Sequence, residues 1–491
     1  MIKYEPVIGL EVHAQLKTAS KMYCSCNSDY QNAAPNTRVC PVCLGLPGAL
    51  PVINREAIKS IVMIGLALNC SISEYSKFDR KNYTYPDLMK GYQVSQYDLP
   101  VCLDGYMDLS IEGTSKRIGI ERVHMEEDVA KLSHHIDSVS GQGYSLVDVN
   151  RSGVPLVEMV SRPDIRSAEE ARQYLINYQT ILRYLGVSTA NMDEGSFRCD
   201  ANVSIRPEGQ KEFGTKVEIK NMNSFRSVFR AIEYELERQS DVLSSGGRVT
   251  QETRGWLEDK GVTISLRSKE EANDYRYFPE PDLPPLSISK NWVSEIASSL
   301  PELPSTKKTR FMKQYELSEY DSSLLTNSYR IADYFEKSVS IASEEFELGK
   351  NSAKSIANWT ITELTKLSNE YSIEIYDSKV TPNHLAELIS LIEKNVIGTP
   401  QGKTVLAEVF VSGDAPTRVV EKLGLAQISN SSELDSIVIT VISENPNAVA
   451  DYKSGKETAA KFLVGQVMKA TQGKANPSVV SGIIVEHLKS M

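Results

Sequence analysis

Two segments alternate strictly between apolar and polar positions: Val7-Ile-Gly-Leu-Glu-Val-His-Ala-Gln15 and Arg198-Cys-Asp-Ala-Asn-Val-Ser-Ile-Arg206. A period of two predicts strands whose side chains sort onto opposite faces. The first strand then shows Glu11, His13 and Gln15 on one face and Leu10, Val12 and Ala14 on the other. The second shows Arg198, Asp200, Asn202 and Ser204 opposite Cys199, Ala201, Val203 and Ile205. A half-solvated sheet explains one such strand. Here the pattern repeats, in Lys216, Glu218 and Lys220 against Val217 and Ile219, in Ile118–Asp128 with its acidic end, and in Val147–Arg151 leading to Glu158. Glu, Asp, His, Asn, Arg and Lys recurring at apolar strand ends point to a site more than to a solvated surface.

Other periodicities place the remaining elements. Tyr106–His124 reads as a hairpin turning at Gly113-Thr-Ser115. Asn54 caps a helix to about Asn69, and Ser167-Ala-Glu-Glu170 forms a capping box for a helix ended by Gly186. A third helix is expected from about Ser224 to Leu243, stopped by Gly246-Gly247. The proline-rich stretch Phe278–Pro285 breaks the mixed pattern and marks a domain boundary. Beyond it the spacing is helical, with Thr381-Pro-Asn-His placing a cap before a first-turn proline. The fold class is therefore α+β: mixed α and β first, helices afterwards.

The chain has 491 residues, enough for two to four domains, and a net charge of −10. That balance opposes a protein that coats nucleic acid non-specifically, DNA included, yet allows a local basic surface. One such surface is Asp451–Lys474, with Lys453, Lys456, Lys461, Lys469 and Lys474; alone it reads rather as a solvated helix face. The longest apolar run, Ile61–Leu68, is too short to span a membrane. The charged N-terminus carries no export signal, so the expected compartment is the cytoplasm.

Seven cysteines are present, four of them in two close pairs, Cys24-Ser-Cys26 and Cys40-Pro-Val-Cys43. Two pairs across a short loop suit a tetrahedral structural Zn²⁺. Cys70, Cys102 and Cys199 have no such partners and are expected in the core. No glycine-rich phosphate loop exists; Gly398-Thr-Pro-Gln-Gly402-Lys-Thr404 has one residue too few between its glycines. No nucleophile elbow or activated cysteine is visible either. ATP, if used, must be held by carboxylates, a metal, Lys and Arg.

Several segments together resemble the B subunits of the bacterial aspartyl/glutamyl-tRNA amidotransferases. They include Gly9–Leu16, Phe78–Asp87, His124–Asp128, Asn150–Glu158, Asp193–Asp200 and Gly214–Phe225, collinear along the chain. The tail, notably Asp451–Lys456 and Phe462–Ala470, resembles the family's tRNA-binding module. The resemblance implies an N-terminal cradle with an antiparallel sheet at 1–292, a helical domain at 293–400 and a tRNA-binding tail at 401–491. It implies that ATP phosphorylates the side-chain carboxylate of mischarged Glu-tRNA(Gln) or Asp-tRNA(Asn). Ammonia from a glutaminase partner subunit then forms the amide, with a small third subunit completing a heterotrimer. Carried onto this chain, the Mg²⁺ candidates are Glu11, His13, Glu126, Glu127, Glu158 and Asp200. Alternation along a regular strand puts Glu126 and Glu127 on opposite faces. The expected catalytic set is Glu11, His13, Glu127, Glu158 and Asp200, with Lys81, Arg151, Lys216 and Lys220 for phosphate. The rival from another class is a non-catalytic, zinc-containing tRNA-binding scaffold.

Overall fold

The computed structural model describes residues 3–111, 113–137, 141–268, 275–425, 431–454, 456, 458–471, 475 and 477–490. The chain forms two compact units, residues 1–303 and 304–491.

The first unit is built on a nine-stranded sheet. Its order is Val262–Ser268, Glu252–Leu257, Val217–Met222, Phe197–Pro207, Tyr4–Gln15, Pro155–Ser161, Thr114–Glu127, Cys102–Ile111 and Ser71–Ile72. Neighbours run antiparallel except Val217–Met222 beside Glu252–Leu257. Both segments that alternate most strictly lie side by side at its centre, Glu11 opposite Asp200. Their apolar face supplies Leu10, Val12, Ala14, Cys199, Ala201 and Val203 to one core. Three helices pack there, Arg55–Ala67, Ala168–Tyr184 and Phe225–Ser244. Each fully buried aliphatic side chain stabilises this core by about 1.5–3 kcal/mol. Cys70, Cys102 and Cys199 are buried in it.

The helix signals hold locally. Asn54 accepts from the Glu56 and Ala57 amides, Ser167 from Glu170, Ser224 from Ser227 and Thr381 from His384. The Ser167 box is one-sided, because the Glu170 carboxylate reaches past Ser167 to the Arg166 amide at 2.7 Å. The hairpin differs from expectation at its tip. Ile111 pairs with Thr114, and Thr114 and Ser115 belong to the second strand.

The proline-rich stretch is folded into this unit. Phe278–Pro279 pairs with Asp79–Asn82, which pairs with Tyr92–Ser95, giving a small three-stranded sheet. Helix Lys290–Ser298 follows and buries Ile296 in the same core.

The second unit is helical. Residues 311–420 share one core around Phe311, Phe335, Leu385 and Val409. Helices Ser431–Glu444, Pro446–Lys453, Thr458–Ala470 and Pro477–Ser490 share another around Val438, Leu463 and Ile484. Among the described residues no helix is long and apolar enough to cross a membrane.

Candidate active site and metal centres

The polar face of the large sheet carries the chemistry. Strand pairing sets His124, Glu158, His13 and Arg198 in one row across four strands. Adjacent rows bring Glu126, Glu11, Asp200, Asn202, Glu218 and Lys220 to the same face. A cleft of about 680 Å³ lies over it, lined by Glu11, His13, Lys81, Glu126, Glu158, Asp200, Lys216 and Lys220 among others. Such a volume suits a nucleotide-sized ligand.

At its centre two histidines bracket two buried carboxylates. The Nε2 atom of His13 lies 3.2 Å from Glu158 Oε2 and 3.7 Å from Glu126 Oε2. The Nε2 atom of His124 lies 3.3 Å from the same Glu158 oxygen and 3.8 Å from Glu126 Oε1. Burial works to lower both imidazole pKa values, but Glu158 and Glu126 outweigh it. His13 ends above its usual value, and His124 is raised to about 9. Burial likewise opposes ionisation of Glu158, yet both histidines hold its pKa well down.

Glu126 also accepts from Ser95 Oγ at 2.8 Å, Gln93 Nε2 at 3.1 Å and Lys81 Nζ at 3.4 Å. Glu11 accepts from Asn202 at 2.9 Å; burial and then the Glu158 charge raise its pKa. Lys220 joins Asp200 at 2.5 Å and Glu218 at 3.0 Å. Lys81 and Lys220 thus stand in ion pairs, which raise their pKa values against burial. Lys216 is exposed on the cleft wall.

Two candidates stand elsewhere. Glu127 points away from the cleft, to Lys90 Nζ and the Val94 amide at 3.0 Å. The strand is regular there, so neighbours face opposite ways. Arg151 lies in the short helical turn Val149–Arg151 and donates to the Val129 and Ala130 carbonyls at 2.8 and 2.9 Å. Neither lines the cleft.

Some cleft residues lie outside the set that the sequence nominates. Arg198 lines the cleft and reaches Asp128 at 3.1 Å. Its place on the polar face of an alternating strand was the signal available. Arg122 and His124 share that kind of signal, on Thr114–Glu127. Tyr275 and Tyr277 carried none, since they arrive through the small edge sheet.

Among the described residues, two groups of side chains could hold a metal ion. His13, Glu126 and Glu158 offer one nitrogen and two oxygens within 4.8 Å of one another. Two buried carboxylates side by side demand positive charge. That need, met here by imidazolium, fits a hard divalent ion such as Mg²⁺. Glu11, Asp200 and Glu127 stand outside this trio.

Cys24, Cys26, Cys40 and Cys43 likewise gather their sulfurs within 4.8 Å. Cys40 and Cys43 sulfurs are 3.9 Å apart, close to the roughly 3.8 Å that a tetrahedron of about 2.3 Å Zn–S bonds requires. The Cys40 amide donates to Cys43 Sγ at 3.1 Å, and no disulfide forms among the seven. The hydrogen bond from Cys24, then the Cys40 amide and the buried Lys21 ammonium, hold the Cys43 thiol down to about 4.

Residues 6–294 match the GatB/GatE catalytic domain family, and residues 333–488 match the GatB domain family. This chain belongs to the GatB family. The chain is 54% identical over 491 residues to a protein of Dehalococcoides mccartyi named as the B subunit of aspartyl/glutamyl-tRNA(Asn/Gln) amidotransferase, with both chains fully covered. Relatives of the same name in Carboxydothermus hydrogenoformans and Caldicellulosiruptor saccharolyticus are 52% and 51% identical, again across both whole chains. The cleft falls entirely within the matched catalytic domain.

Proposed function

We propose that this chain is the carboxylate-activating component of a tRNA-dependent amidotransferase. Its substrate is Glu or Asp esterified to a mischarged tRNA(Gln) or tRNA(Asn), with ATP as phosphoryl donor. One observation carries this reading. Glu11, His13, Glu158 and Asp200, from three adjacent strands, meet Lys81, Lys216 and Lys220 in one cleft.

The chemistry follows from the charges. A side-chain carboxylate oxygen attacks the γ-phosphorus, the bond to the bridging oxygen breaks, and ADP leaves. Ammonia then attacks the acyl carbon of the acyl phosphate. The C–O bond to phosphate breaks, and hydrogen phosphate departs with the surplus proton. Two anions must approach each other in the first step, and catalysis is largely charge neutralisation and positioning. Lys81, Lys216, Lys220 and Arg198 supply fixed positive charge along the cleft. His13, Glu126 and Glu158 would hold Mg²⁺, which when bound offsets charge on phosphate oxygens. Glu11 and Asp200 orient cationic and amide neighbours through Asn202 and Lys220. Glu127 and Arg151 brace the walls.

The four-cysteine cluster holds structural Zn²⁺ in this reading, stabilising the 24–43 loop. The cradle carries the reaction, and in the helical second unit a C-terminal tail takes tRNA phosphates. In that tail Lys453, Lys456, Lys461 and Lys469 are exposed, Lys456 pairing with Asp451 at 2.8 Å; Lys474 lies outside the described residues. In this reading the partners are a glutaminase and a small third subunit, as the family likeness implies. A role in translation places the complex in the cytoplasm.

The test is reconstitution with both partners. Glu-tRNA(Gln) is expected to stimulate ATP-dependent phosphate release, and Glu158→Gln to lower it about 100-fold or more. Glutaminase activity should persist in that variant. Unchanged phosphate release would defeat the assignment of the cleft.

A further inference from the structure

The charged floor of the cleft is bordered by tyrosines that the reaction above does not use. Tyr83, Tyr97, Tyr275 and Tyr277 all line the cleft. Tyr97 and Tyr277 are stacked, with ring centroids 4.4 Å apart and planes 9° from parallel. Tyr275 meets Tyr277 edge-on at 6.0 Å and Tyr83 at 5.7 Å. The Lys81 ammonium is 5.2 Å from the Tyr275 ring centre and 3.4 Å from Glu126 Oε1. The aromatic wall therefore begins where the cationic floor ends.

The rings sit on pinned backbone. Asn82 receives the 275–277 segment twice, its amide donating to Tyr275 O at 2.9 Å and its Nδ2 to Arg276 O at 2.9 Å. Arg80 forks onto the buried Glu280 carboxylate with two bonds of 2.8 Å, locking the strand that follows Tyr277. The Tyr97 amide donates to buried Asp79 at 3.0 Å. Two buried acids thus fix the segments that carry the stacked pair. Tyr97 nevertheless remains 58% exposed. A rigid, wet aromatic surface beside a phosphate-binding floor is what a nucleotide base requires, because stacking covers the ring while charge holds the rest.

We propose that this wall is a stacking platform for an adenine ring. The inference rests on the function proposed above and adds where the base goes. Two substrates of that reaction present adenine, ATP and the 3′-terminal adenosine that bears the amino acid. Both would set a flat base on the tyrosines with their reacting end over the floor.

The experiment uses the complete complex and measures KM for ATP and for Glu-tRNA(Gln) separately, with glutaminase activity as a check of assembly. Tyr97→Leu and Tyr277→Leu keep apolar bulk but lose the ring; Tyr277→Phe keeps the ring and loses the hydroxyl. Each Leu variant is expected to raise one KM by about 10-fold or more, while Tyr277→Phe stays within about 2-fold of wild type. A rise confined to ATP assigns the platform to the nucleotide, and one confined to tRNA assigns it to the terminal adenosine. Leu variants with both KM values unchanged, or a Phe variant as impaired as Leu, overturn the proposal. Inactive wild-type complex would instead fault the underlying function.

Discussion

Replacing Glu158 by Gln probes the buried cluster directly, because the amide keeps the shape and removes one charge. Glu158 lies 3.2 Å from His13 and 3.3 Å from His124, all three in one row across the sheet. His124 is raised from 6.5 to about 9 against the pull of burial, with Glu158 the foremost opposing cause. At about 1.4 kcal/mol per pH decade, the shift corresponds to about 3 kcal/mol of preference for the protonated form. The sign follows from linkage. A histidine pKa raised on folding contributes stability that is complete below pH 6.5 and is lost as pH rises through about 9. In chelator-treated protein, Glu158→Gln is therefore expected to lower the melting temperature of the N-terminal unit by about 5–10 °C at about pH 6. At about pH 9.5 the gap to wild type should shrink to a small residue. His13 works in the same direction. Differential scanning calorimetry at the two pH values measures both gaps. Equal gaps would refute the reasoning, because a loss of packing has no such pH dependence.

Lys220→Met is expected to cut kcat/KM for ATP-dependent phosphate release about 100-fold, with glutaminase activity retained, since it removes a cation placed between Asp200 and Glu218. The purified chain is expected to carry one zinc, measured by mass spectrometry of the metal. Cys40→Ser combined with Cys43→Ser should release it and speed proteolysis within residues 20–50, while amidation by the assembled complex falls less than about 10-fold; complete inactivity would argue for zinc chemistry. Lys461→Ala with Lys469→Ala is expected to raise KM for Glu-tRNA several-fold and flatten its salt dependence by about two charges. An unchanged salt slope would remove those lysines from the tRNA surface.

Much of the cleft was legible because alternation is a local property. Glu11, His13 and Asp200 could be put on polar strand faces from their spacing alone, and Cys199 and Val12 on the apolar ones. What alternation cannot supply is which strands are neighbours. The row His124, Glu158, His13, Arg198 exists only because the strand 155–161 pairs with both 4–15 and 114–127. Family likeness nominated Glu126 and Glu127 together, whereas strand geometry separated them, and the structure puts only Glu126 in the cleft. Arg151 was a reasonable cation by residue type. A three-residue turn aims it at the 129 and 130 carbonyls instead. The tyrosine wall was hidden for another reason. Tyr275 and Tyr277 join Tyr83 and Tyr97 from a distant part of the chain through a two-residue strand, too short to leave a periodic signature.

The cleft also explains how so many charges share a half-buried face. Lys81 answers Glu126, Lys220 answers Asp200 and Glu218, Arg198 answers Asp128, and the two histidines answer Glu158. Each of these charges is paired, so its desolvation cost is offset within the protein. In the function proposed above, an arriving polyphosphate would compete with Glu126 for Lys81, and a divalent cation held by His13, Glu126 and Glu158 would restore the charge that Glu126 loses. Cation and nucleotide would then be coupled through Glu126, and the coupling must be equal in both directions. The mixed composition of the polar face, with acids and bases interleaved across neighbouring strands, is what makes this exchange of partners possible.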